Sequence, residues 1–90
     1  MKALANNQEL YEYLVTLAST LAARGRRDLS DIATLASRHA AGMPAEFLGE
    51  SRIALRSVLT DEKGALNDIE RSAVSGVLQQ LDEAFDRREP

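Results

Sequence analysis

The chain contains no cysteine and no tryptophan, and it has a single histidine. Without cysteine there is no disulfide framework, no thiolate metal site and no cysteine nucleophile. The fold needs no oxidising compartment, and a cytoplasmic location is expected. Aromatic residues are limited to Tyr11, Tyr13, Phe47 and Phe85, too few for a surface that stacks nucleic-acid bases. Long apolar runs are also missing. The longest falls far short of the ~20 residues of a membrane-spanning helix. The stretch from Met1 to Gln8 turns polar at Asn6 and has no apolar core of the signal-peptide kind. A pervasive positive charge is absent as well, because 11 Lys and Arg face 14 Asp and Glu for a net charge of −3. The balance is uneven. Residues 1–60 hold seven basic and six acidic side chains, whereas residues 61–90 hold four and eight. This argues against nucleic acid as a partner.

What is abundant is alanine and leucine, both strong helix formers. No segment alternates apolar and polar residues as a half-buried strand does. The pattern predicts four helices in one domain spanning 1–90, at about 7–24, 29–41, 44–59 and 68–87, with a frayed tail at 88–90. In the first, Asn6 and Glu9 form a capping-box pair. Leu10, Tyr13, Leu14, Leu17 and Leu21 share a face, and Gly25 ends the helix. In the second, Asp28 is the expected N-cap, and the apolar face is Leu29, Ile32, Leu35, Ala36 and His39. Gly42 closes it, and Pro44 then opens the third helix, whose inner arc is Phe47, Ser51, Ala54, Leu55 and Val58. Residues 60–66 read as a loop turning at Gly64. Asn67 and Glu70 form a second capping box ahead of an arc made by Ala73, Val74, Val77, Leu78, Leu81, Ala84 and Phe85. Short connections favour antiparallel neighbours. The expected architecture is all-α, a compact four-helix bundle or an orthogonal helical array.

Catalytic and metal-binding chemistry finds little to work with. A nucleophile needs a base and an orienting group within reach, and Ser37, two residues from His39, points elsewhere on the same helix. His39 is instead expected to be substantially buried at the end of the second helix. The carboxylates fall into helix starts, a loop pair at Asp61 and Glu62, and a wet face at Asp82, Glu83 and Asp86. Asp82 and Asp86 share a face that suits at most a weakly held divalent cation. There is no Glu-x-x-His pair for a di-iron bundle and no glycine-rich phosphate loop. The expectation is therefore a non-enzymatic chain without cofactor or metal.

Two surface features remain. Arg24, Arg26 and Arg27 cluster at the turn before the second helix, a place where an anion could dock; the competing reading is a solvated turn in which arginines pair with Asp28 or Asp31. Reading helices two and three as helix-turn-helix would put Glu46, Glu50, Arg52 and Arg56 against DNA, and two of those four repel phosphate. The first helix is also apolar over more than the usual stripe. Beside its leucine face runs a second set, Tyr11, Val15, Ala18 and Ala22. That set either packs within the bundle or meets another chain, and Ile53 is expected to join Tyr11 and Val15 in one patch. The leading functional expectation is a protein–protein interaction module, homodimeric or bound to another protein. A small acidic inhibitor of a basic partner, of the immunity or antitoxin type, is an alternative that rests on size and charge without a motif. A weak nucleic-acid binder is a second alternative.

Overall fold

In the computed structural model of the chain, residues 7–61 and 64–88 are described, with side chains as far as Ala84. They form α1 (Asn7–Ala23), α2 (Arg27–Arg38), a single 3₁₀ turn (His39–Ala41), α3 (Pro44–Leu59) and α4 (Asp68–Arg88). No strand occurs among them. Residue 88 belongs to α4 instead of the frayed tail. The Asn6 cap, the Phe85 and Asp86 side chains and residues 89–90 lie outside the described parts.

Each helix boundary has a local cause. Gly25 takes φ 79°, which an L side chain adopts only with strain. This lets Arg26 N–H reach Leu21 O at 2.9 Å and Gly25 N–H reach Ala22 O at 3.0 Å, the Schellman pairing that satisfies the last carbonyls of α1. The second helix starts two residues earlier than expected. Its N-cap is Arg26, which provides no side-chain cap, and Asp28 sits inside the first turn, where its charge suits the positive helix end. The helix also ends earlier, at Arg38, and tightens into the 3₁₀ turn that was expected to be α-helical. Met43 is held extended ahead of Pro44, as the proline ring requires of its predecessor. The capping box of α4 forms in both directions: Glu70 N–H donates to Asn67 Oδ1 at 2.8 Å, and Asn67 N–H donates to Glu70 Oε1 at 2.9 Å.

The helices alternate in direction. Arg24, just past the end of α1, reaches Glu70 in the first turn of α4. Arg26, just before α2, reaches Asp61, just past α3. One end of the bundle therefore gathers the end of α1, the start of α2, the end of α3 and the start of α4. Around the bundle α1 packs on α2, α2 on α3 and α3 on α4. A single core joins Leu10, Leu14, Leu17 and Leu21 of α1 to Phe47, Leu55 and Val58 of α3 and Val74, Val77 and Leu81 of α4. Leu66, in the loop before α4, is buried too and anchors that connection. The Cα radius of gyration is 12.4 Å, close to the ~12 Å of a compact 90-residue chain. The protein is a compact helical bundle.

The orientation of α2 departs from the sequence pattern. Its buried residues are Leu29, Ser30, Ala33, Ala36 and Ser37. Leu35 is 57% exposed, Ile32 is only half-buried and the His39 side chain is 40% exposed. The helix is rotated so that small side chains face α1, and Ser30 Oγ donates to Ala18 O at 2.8 Å in a buried bond. That bond and the close seating it accompanies carry Leu35 to the outside, and His39 follows in the 3₁₀ turn.

Two substitutions probe the core from opposite sides. Leu14 is fully buried at its centre, and Leu14→Ala should lower unfolding free energy by roughly 2–5 kcal/mol. Ser51 is equally buried, but its hydroxyl has no hydrogen-bond partner. Ser51→Ala should therefore raise stability by about 1 kcal/mol. Urea unfolding checks both, and a Ser51→Ala variant weaker than the parent would show that the hydroxyl is bonded in solution.

Candidate partner-binding groove

A trough runs between α1 and α2. Its volume is about 770 Å³, and its lining is drawn from α1, α2 and the 3₁₀ turn. On the α1 side stand Tyr11 and Val15, which are 38% and 41% exposed. The floor is made of small buried residues, among them Ala18, Ser30 and Ser37. Facing positions on two adjacent helices are thus filled by side chains too short to meet above the backbone contact. The two alternatives for the second stripe of α1 divide residue by residue, with Ala22 exposed beyond Ala18. Ala18 is buried against α2, whereas Tyr11 and Val15 remain at the surface.

The groove floor was missed by reading hydrophobicity alone, although the groove-lining Ser30, Thr34 and Ser37 recur at helical spacing in the sequence. Arg38 was missed with them. Ile53 is 61% exposed as expected, but it does not line the groove with Tyr11 and Val15. It lies on α3, one turn beyond Glu50, the residue that approaches His39 of α2. The groove is therefore lined by Tyr11 and Val15 without Ile53.

The arginine turn is occupied by the protein's own carboxylates. Arg24 clasps both oxygens of Glu70, with Nη2 to Oε2 at 2.8 Å, and also donates to Ala65 O at 3.0 Å. Arg26 clasps Asp61 at 2.7 and 2.8 Å and Asp28 at 3.0 and 3.2 Å. Arg27 is exposed and forms no ion pair among the described residues. These bonds tune the groups involved. Glu70 is held below the usual carboxylate range, first by the Arg24 hydrogen bond and then by the Asn67 N–H. Asp28 is lowered by Arg26 and by the Leu29 N–H. Tyr13 packs nearby, and burial, with Glu70 as the lesser cause, pushes its phenol up to about 12.

The remaining candidates for chemistry are isolated. His39 Nε2 lies 3.8 Å from Glu50 Oε1, beyond hydrogen-bonding distance. The expected buried, hydrogen-bonded histidine is therefore not found, because the 3₁₀ turn carries it off the α2 core face. Ser37 Oγ donates to Thr34 O at 2.6 Å. Asp82 accepts from Arg52 at 2.7 Å and lies 3.6 Å from Arg56. Among the described residues no group of three or more His, Asp or Glu side chains is placed to hold a metal ion, and no helix is long and apolar enough to cross a membrane. Comparison with protein-family models, curated proteins and solved structures gives no match to this chain.

The arginine clasp predicts two pH limbs. Glu70 and Asp28 ionise more readily folded than unfolded, so their contribution is present above the model-peptide values of 4.5 and 3.8 and is lost as pH falls through the lower folded values. Tyr13 is raised, so its contribution is complete below pH 10 and is lost as pH climbs towards 12. Thermal unfolding across pH should show a plateau between these limbs. Glu70→Gln should flatten the acid limb and Tyr13→Phe the alkaline one, and a variant that leaves its limb unchanged would show that the named group does not produce it.

Proposed function

We propose that this chain is a non-enzymatic protein–protein interaction module and that it binds through the α1–α2 groove. The observation that carries the reading is the pairing of two partly exposed, large side chains, Tyr11 and Val15, with a floor of small residues in one continuous trough. A helix carrying apolar side chains fits such a trough, because knobs from the partner fill what the chain's own side chains leave empty. Tyrosine suits this position, since it offers a large contact area at low entropic cost together with a polar tip.

The alternatives have less support. An acidic inhibitor would steer with free carboxylates, but Asp61, Glu70 and Asp82 are already paired with arginines of the same chain. Binding of an anion or nucleic acid at the arginine turn would require Arg24 and Arg26 to release Glu70, Asp61 and Asp28. Catalysis at His39 would lack a base–nucleophile pair, since Glu50 is the ionisable group it approaches among the described residues.

The test is performed in the native host with a tagged copy expressed beside the untagged chain. The double substitution Tyr11→Glu with Val15→Lys should abolish co-purification of the bound protein, whether another protein or the untagged chain. Gln79→Glu, on the exposed face of α4, should retain it. Equal recovery with both variants would contradict binding through the groove.

A further inference from the structure

Exposed Glu12 of α1, which accepts a hydrogen bond from the groove-lining Gln8, and groove-lining Arg38 of α2 carry opposite charges at similar levels along the bundle. The Ser30–Ala18 hydrogen bond sets the register of α1 against α2. Glu12 lies six residues before Ala18 and Arg38 eight after Ser30. The helices are antiparallel, so both residues lie toward the same end, roughly 9 and 12 Å along the axis at ~1.5 Å per residue. Arg38 lines the groove and forms no ion pair among the described residues. Glu12 accepts a hydrogen bond from Gln8 Nε2 at 3.0 Å and forms no ion pair among them either. Elsewhere in the bundle the arginines Arg24, Arg26 and Arg52 are all matched to carboxylates.

We propose that the occupant of the groove is a second copy of this chain, docked face to face about a two-fold axis running along the trough. This inference rests on the reading of the groove as a docking surface. Such an axis lays α1 of one copy over α2 of the other and keeps their levels. Each Glu12 then meets an Arg38 across the interface, and the pairing occurs twice. The same operation sets Tyr11 and Val15 over the short side chains Thr34, Ser37 and Ala41 of the opposite copy, so bulk on one side meets space on the other. Isologous contacts need this self-complementarity, in which one patch carries both halves of each pair. Rim charges of this kind fix register and are weakened by salt.

The experiment uses charge reversal with purified chains and sedimentation equilibrium at low salt. The parent should self-associate. Glu12→Arg alone, or Arg38→Glu alone, places two like-charged pairs in each homodimer and should weaken association roughly tenfold. Mixing the two variants in equal amounts restores both attractive pairs in the heterodimer, and its affinity should return to within about threefold of the parent. Both positions are on helix surfaces, and circular dichroism verifies that the variants fold. A parent that remains monomeric at about 1 mM, the weak end of measurable affinity, would overturn the proposal, as would a mixture no tighter than the single variants. If the purified chain is monomeric while Tyr11→Glu with Val15→Lys still abolishes co-purification in the host, the second-copy proposal falls and the docking reading stands. If neither measurement responds to groove substitutions, both fall.

Discussion

The close contact between α1 and α2 determines most of what is distinctive in this bundle. Ser30, Ala33 and Ser37 are small enough for the helix to seat directly on α1, and the buried Ser30 hydroxyl finds the Ala18 carbonyl there. A buried hydroxyl without such an acceptor would be destabilising, so the bond fixes the rotation and register of α2. Three consequences follow from that rotation. Leu35 turns outward, the short side chains along the seam leave a trough above it, and groove-lining Arg38 comes level with exposed Glu12 of α1.

At the far end the bundle is closed by electrostatics. Gly25 allows the chain to reverse tightly after α1, which presents Arg24 to Glu70 and Arg26 to Asp61 and Asp28. Isolated surface ion pairs contribute little. Here the pairs are bidentate and joined to the Asn67 capping box, so one set of side chains ties the α1–α2 turn to the α3–α4 loop. The arginine cluster that looks like an anion site in the sequence is, in the folded chain, matched by its own acids at Arg24 and Arg26.

The legible parts of the sequence were those with strong, local causes. The leucine repeat of α1 identified its core face, Gly25 and Pro44 marked boundaries through backbone geometry, and Asn67 with Glu70 announced the start of α4. The second helix was misjudged because hydrophobic periodicity ranks Leu35 above Ser30. Close helix packing selects instead for small size, which a hydrophobic wheel does not register. The position of the 3₁₀ turn, and with it the exposure of His39, depends on the tight passage to Pro44 and has no signature in residue type. Of the candidate surface, Tyr11 and Val15 were visible as surplus apolar residues on α1. The groove floor and Arg38 were not, because they belong to a different helix whose rotation had to be known first. Ile53 was correctly read as exposed but is not part of the groove lining, since helix-face reasoning gives direction on one helix but no distance between two.

The central claim is that the Tyr11–Val15 stripe of α1 is open in the single chain. Because the protein has no cysteine of its own, one introduced thiol reports its site without background. Val15→Cys and Leu14→Cys place thiols on adjacent positions of the same helix, one at the groove and one in the core. Alkylation by iodoacetamide, followed by mass spectrometry at a concentration too low for association, measures the access of each. The account predicts that the thiol at 15 reacts at a rate approaching that of an unfolded control, while the thiol at 14 reacts only as the bundle opens. Equal protection of both thiols in the dilute chain would mean that the stripe is packed within its own bundle, and would contradict the account.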